Sequence, residues 1–284
     1  GARMIESPLR QAHHFRPNLG DIEHFLNTDP APKAIVLNSP HNPTGGIARH
    51  DDLIAIADLI RGRNVAVFSD EPYDQMAWAG NHHSLLAEPS MLDQCVGAYT
   101  FSKSFSMSGW RLGFAVSSVP VAEMLAKLTN TLLSCVPPFV QLAGAAALRE
   151  ARDERDTMMG EFRDKVMDLV ARLNQIDGIS CLVPGGSFYA FPCVADICNK
   201  YKITSHGLAL YLLQGASTET GVACLGGECF GEPGGGFLRL SCSEPAERIA
   251  EAVEFIDNSI NQSDRIRSYL QDNPDHALSS PYVV

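Results

Sequence analysis

Three short apolar runs constrain this chain more than anything else in it: Ala34-Ile35-Val36-Leu37, Val65-Ala66-Val67-Phe68 and Val96-Gly97-Ala98-Tyr99. Each is too short for an independent helix and is rich in apolar, β-branched or aromatic residues, so each reads as a buried strand. Between the first two, residues 51–60 place Leu53, Ile54, Ala57 and Ile60 at helical spacing. Strands alternating with helices predict an α/β fold with a mostly parallel sheet covered on both faces. A further strand is expected over 112–116. From Val121 the pattern turns helical, alanine-rich over 143–149 and amphipathic over 161–173. Beyond Gly178, strands are expected over 180–183, 188–192 and 237–241, with helices over 203–214 and 246–260. This predicts two domains, a larger α/β part over 1–150 and a linking helix with a smaller α+β domain over 151–284. The polar segment from Gln262 reads as a loosely ordered tail.

The polar motifs follow the strands: Asn42-Pro43-Thr44-Gly45 after the first, Ser69-Asp70-Glu71-Pro72-Tyr73 at the end of the second, and Thr100-Phe101-Ser102-Lys103 after the third. In open α/β sheets, ligands bind beyond the carboxyl ends of the strands, so three strand ends aim their chemistry at one crevice. Asp70 ends an apolar strand, where a carboxylate is costly without a cationic partner; by itself it would read as a helix cap. Lys103 by itself would read as a solvated amine, and Asn42-Pro43-Thr44-Gly45 as a loop turn. Arg111, eight residues beyond Lys103, offers a planar fork of donors for an anion.

Bulk composition narrows the alternatives. With 33 acidic against 22 basic residues and a net charge of −11, the chain offers no basic excess for nucleic acid. Its eight cysteines include no C-x-x-C pair, which argues against a zinc site and for thiols in a reducing compartment. No long apolar span suggests a membrane helix, and no secretory pattern opens the chain, so a cytoplasmic location is expected. His13-His14 and His82-His83 lack partners at ligand spacing and read as solvated; no metal site is expected. Gly234-Gly235-Gly236 precedes a strand, which reads as a flexible loop.

In this order the three motifs, with Arg111, resemble the fold-type-I pyridoxal-phosphate (PLP) enzymes, specifically the class I/II aminotransferases. The resemblance implies a two-domain enzyme, normally a homodimer, that moves an amino group between an amino acid and a 2-oxo acid by a ping-pong mechanism. It implies that Lys103 forms the internal Schiff base with PLP and then moves the proton. Asp70 would pair with the pyridine nitrogen, and Asn42 and Tyr73 would bind the phenolic oxygen. Thr100, Ser102 and Arg111 would hold the phosphate. Arg239, in Phe237-Leu238-Arg239-Leu240-Ser241, would clamp the substrate α-carboxylate, with Asn42 beside it. Ser104, Ser106 and Ser108 carry no firm role, and Glu71 reads as structural. Gly185-Gly186-Ser187-Phe188-Tyr189 resembles the turn opening the family's small-domain sheet; Tyr189 is either core or pocket lining.

The resemblance starts partway into the family's large domain, so the chain is expected to lack its natural beginning and with it a phosphate-binding turn, a ring stacked on the pyridine and a tyrosine from across the dimer. Alternatives are a PLP-dependent lyase, synthase or decarboxylase on the same scaffold, an aminotransferase-like sensor domain, or a non-catalytic fragment. Side-chain specificity is not legible: no second cation for a distal carboxylate stands out.

Overall fold

All three apolar runs become strands in the computed structural model, which describes residues 1–283. β1 (Ala34–Asn38), β2 (Ala66–Asp70) and β3 (Cys95–Thr100) are parallel neighbours; β4 (Gly113–Val116) pairs antiparallel with β3 and completes the order β1-β2-β3-β4. The chain divides into two compact units, one built from Gly1–Asn42, Gly46–Gly160 and Gly185–Ser187, the other from Pro43–Gly45, Glu161–Pro184 and the chain from Phe188 onward.

In the first unit, α1 (Leu19–Thr28) is started by Asn18, whose side chain accepts from the backbone N–H groups of Gly20 and Asp21. α2 (His50–Ile60) begins with Asp52 accepting from the Arg49 backbone N–H at 2.9 Å, and the Arg16 guanidinium reaches the same carboxylate. Both helices lay apolar stripes on the sheet: Ile22, Leu26, Leu53, Ile56 and Ile60 pack with Leu37 and Val67. Burying each such side chain contributes about 1.5–3 kcal/mol.

Only one face of the sheet is covered this way, which corrects the expectation of a sheet buried on both. Val36 is 73% and Phe68 43% exposed, while their strand neighbours Leu37 and Val67 are buried. Successive strand residues point to opposite faces, and α1 and α2 lie on the same one. The helix α3 (Val119–Leu133) that follows β4 buries none of its residues; α4 (Pro138–Glu150) buries Val140 and Gly144. α5 (Arg152–Leu173) continues the helical stretch foreseen over 161–173.

The Gly185–Ser187 turn groups with the first unit because its backbone is used there. Trp78 and Ala79 donate backbone N–H bonds to the Gly185 carbonyl, at 2.7 and 3.0 Å, and the Trp78 indole donates to the Ser187 carbonyl at 2.7 Å. Gly186 permits this approach: a Cβ there would lie 2.5 Å from the Met76 carbonyl oxygen and 2.7 Å from Pro40 Cβ.

The second unit holds a small antiparallel sheet in the order β5-β7-β6, from β5 (Tyr189–Ala190), β6 (Leu225–Gly226) and β7 (Leu238–Ser241), around which stand α6 (Ala195–Tyr201), α7 (Ser205–Leu210), α8 (Ala246–Ile260) and α9 (Ser263–Asp272). The strands are shorter than expected. Over 180–183 only the single bridge Ser180↔Cys193 forms among the described residues. The helix expected over 203–214 is α7 followed by a wider π turn at Tyr211–Gly215. The segment from Gln262 is not a loose tail: α9 buries Ile266 and Tyr269, an i, i+3 pair that seats one helix face in the core. Of the eight cysteines, Cys95, Cys181, Cys198 and Cys242 are buried; burial pushes the Cys95 thiol up to about 11 and that of Cys242 to about 12, so both stay protonated near neutrality. No helix among the described residues is long and apolar enough to cross a membrane.

Candidate active site

The carboxyl ends of β1 and β2 are tied together by a residue that sequence reasoning missed. Asn38 and Asp70 are cross-strand partners in the parallel register. The Asn38 side chain donates through Nδ2 to the Asp70 carboxylate at 3.1 Å and to the Asp70 carbonyl at 2.9 Å. Its Oδ1 accepts from the backbone N–H of Asn42 at 2.8 Å. One amide thus sets both the carboxylate of Asp70 and the entry of the Asn42 loop. Its signal in the sequence was a polar residue closing an apolar strand, four positions before Asn42, as Asp70 closes the next strand.

Asp70 is half-buried and has no salt-bridge partner among the described residues. Burial first, and the neighbouring Glu71 charge second, hold its carboxyl above the ordinary value. Glu71 is fully buried and satisfied: Ser69 Oγ, Ser84 Oγ and His82 Nε2 each donate to its carboxylate at 2.7 Å. Burial works to raise the Glu71 pKa, but these hydrogen bonds outweigh it and hold the group below its ordinary value. The structural role expected of Glu71 matches this geometry. His82, by contrast, is not solvated as expected; its side chain is 14% exposed because the loop after Gly80 folds back to supply a donor that the buried carboxylate requires. Ser84 extends the network to the Tyr99 hydroxyl at 3.2 Å.

Lys103 follows β3 in a loop pinned by its apolar members. Phe101, Met107 and Leu112 are buried in a cluster with Val140, and Phe105 packs against them. This alternation fixes the backbone on either side of Lys103, whose Nζ lies 5.8 Å from the ring centroid of the buried Tyr73. Thr100 Oγ1 accepts from the Ser102 backbone N–H at 3.0 Å, a local turn that shapes the start of the loop. Arg111 closes the loop at positive φ, exposed, with its guanidinium donating to the Ser108 carbonyl at 2.6 Å. Arg239 belongs to the second unit, on β7, where its guanidinium carbon lies 4.6 Å from the Tyr189 ring centroid. Among the described residues no cluster of three or more His, Cys, Asp or Glu side chains is placed to hold a metal ion.

One residue of the Asn42 loop gives the unit a pH dependence. Burial pushes His41 down to about 4. Because the unfolded chain binds a proton near pH 6.5 and the folded chain resists it, stability is full above about 6.5 and falls as pH drops toward 4, by about 3 kcal/mol. Denaturant midpoints measured between pH 7 and 4 should show this slope in the parent and a flatter one in His41→Asn; equal slopes would remove His41 as the cause.

Known proteins resemble this chain in sequence and in fold. The profile described as aminotransferase class I and II matches residues 1–256. An aspartate aminotransferase of Sulfurisphaera tokodaii is 32% identical over 89% of this chain and 63% of its own length, and an aromatic-amino-acid aminotransferase of Thermococcus litoralis is 28% identical over 92% and 65%. The crystal structure of an aromatic aminotransferase from Pyrococcus horikoshii aligns with a TM-score of 0.83 at 29% identity, covering 92% of this chain and 68% of that one. A Thermus thermophilus aspartate aminotransferase aligns at 0.78 and 26%, covering 88% and 62%. The chain therefore spans a little under two thirds of the length of the curated relatives it matches. A profile match over nine tenths of the sequence, joined to the same α/β architecture, places this chain in the class I and II aminotransferase family.

Proposed function

We propose that this protein is a PLP-dependent aminotransferase, exchanging the amino group of an amino acid for the keto group of a 2-oxo acid. The observation that carries the reading is the strand-end constellation in which Asn38 joins Asp70 to Asn42 while Lys103 stands over Tyr73. The donor set suits the cofactor: a poorly solvated carboxylate without a salt-bridge partner among the described residues calls for a cation, which a protonated pyridine nitrogen supplies. Bound PLP would supply an electron sink for the bonds at the substrate Cα.

Each residue then has a task. Lys103 would hold the cofactor covalently through Nζ and, once displaced by the substrate amine, take the proton from the substrate Cα. Asp70 would accept from the ring nitrogen, its carboxylate oriented by Asn38. Tyr73 and Asn42 would hold the phenolic oxygen, and Thr100, Ser102 and Arg111 the phosphate. Arg239 would bind the α-carboxylate that the amino-acid and 2-oxo-acid substrates of a ping-pong cycle have in common. The same reading assigns residues 1–150 to the large domain and 151–284 to the linking helix and small domain, and carries a cytoplasmic homodimer. The aspartate and aromatic-amino-acid relatives make those amino acids the first substrates to test.

Stoichiometry tests it. Purified protein loaded with PLP and given an amino acid should release at most one equivalent of 2-oxo acid per site, and continuous product only when a second 2-oxo acid is added. A lyase or decarboxylase would turn over without any acceptor, and that outcome would displace this reading.

A further inference from the structure

The second unit places two aromatic rings on the guanidinium of Arg239. β5 and β7 pair antiparallel with Tyr189 opposite Ser241, so Tyr189 and Arg239, two residues before Ser241, are diagonal neighbours on one face of the sheet. The Arg239 Cζ lies 4.6 Å from the Tyr189 ring centroid and 5.1 Å from that of Phe230. Both rings are themselves held. Tyr189 is 7% exposed and packs on Phe188 at 4.6 Å between centroids. Phe230 meets Phe191 edge-on at 6.5 Å, and Phe191 stacks on Phe237 at 4.8 Å with an interplanar angle of 3°.

Where a ring and a guanidinium stack, the N–H donors, which lie in the guanidinium plane, point past the ring. Contact with a ring face therefore orients the guanidinium without itself taking up an N–H donor. An acidic residue in the same role would occupy the N–H groups a substrate carboxylate needs, and would add a negative charge beside it. The arrangement also resolves Tyr189, left open between core and pocket lining: its ring is buried, and its face is spent on an arginine.

We propose that Tyr189 and Phe230 are positioning residues, whose ring faces hold the Arg239 guanidinium so that its N–H fork meets the α-carboxylate of both amino-acid and 2-oxo-acid substrates. The inference rests on the aminotransferase reading above, and its test separates the two. Tyr189→Leu and Phe230→Leu would be compared with Tyr189→Phe, Phe230→Tyr and Arg239→Lys in the PLP-loaded protein, reading kcat, KM for both substrates and melting temperature. In parallel, phenylglyoxal labelling of Arg239 would be followed by peptide mass spectrometry in protein without substrate.

Each leucine variant should raise KM for both substrates by about threefold to thirtyfold with a much smaller change in kcat, the range expected for one lost cation–π contact. Phenylglyoxal should label Arg239 faster in both, and the aromatic exchanges should restore KM and labelling rate. Phe230 is 38% exposed, so its leucine variant should fold even where a change at buried Tyr189 is not tolerated. Unchanged KM and labelling in a folded Phe230→Leu protein, with Arg239→Lys still raising KM, would overturn the positioning role and leave the carboxylate clamp standing. Unchanged KM in Arg239→Lys would overturn both.

Discussion

Replacing Lys103 by alanine is expected to lower kcat by about 10⁴-fold and to abolish covalent retention of the cofactor, while leaving the fold intact. The chemistry proposed for this residue resides in one atom, Nζ, which would be both the nucleophile that holds the cofactor and the base that moves the proton. The loop does not depend on it. Phe101, Met107 and Leu112 anchor the backbone on both sides through buried apolar contacts, so the melting temperature of the variant should stay within about 2 °C of the parent. Added methylamine should restore part of the proton transfer, since a small amine can enter the space the side chain leaves. Assays with the best amino acid of the panel, with and without methylamine, check this. An alanine variant that kept parental turnover would remove Lys103 from the mechanism, and with it the roles proposed for the rest of the constellation.

The second large effect is expected at Asp70, with opposite signs for stability and activity. The folded protein holds this carboxyl above its ordinary value, through burial and then the Glu71 charge. Ionisation therefore costs the folded state free energy as pH rises from 3.8, the ordinary value, through the raised one; the penalty is fully present at pH 7 and absent in acid. Asp70→Asn removes it while Oδ1 of the new amide can still accept from Asn38. Without cofactor the variant should be as stable as the parent or more stable at pH 7, with the difference vanishing below pH 4. With PLP the order should reverse, since the carboxylate then has its cation. Removing the charge that would offset the protonated ring nitrogen weakens the electron sink, so kcat should fall by about 10²- to 10⁴-fold, about 3–5 kcal/mol in the barrier. Denaturation curves with and without PLP, together with kcat, test both halves. A variant that lost stability without cofactor, or kept its turnover, would show that Asp70 is a structural residue.

The two effects rest on different kinds of information. The chemistry of the Lys103 loop was legible in the sequence because it is local: apolar residues at 101, 105, 107 and 112 alternate with polar ones, and the strand before them is a contiguous run. The state of Asp70 was legible only as a cost, a carboxylate ending an apolar strand. Its relief is tertiary. Asn38 reaches Asp70 only through the β1–β2 register, and a shift by one residue would turn its side chain to the other face. Glu71 stays ionised because His82 and Ser84 return to it from 11 and 13 residues away, a closure no local pattern encodes. The same limit explains the second unit, where short ladders and a π turn replaced the strands and helix expected from apolar runs.

By itself, then, the sequence determined which residue types stand at the ends of three strands, because strand length and side-chain alternation follow from neighbours in the chain. It also determined the order of those motifs, on which the family resemblance depends. Tertiary structure alone decided which of the sheet's faces is covered, that Asn38 orients Asp70, that His82 folds back onto Glu71, and that Arg239 lies against Tyr189 and Phe230. Each of these joins residues brought together by strand pairing or loop return, whose energies depend on burial and register that the one-dimensional pattern does not contain.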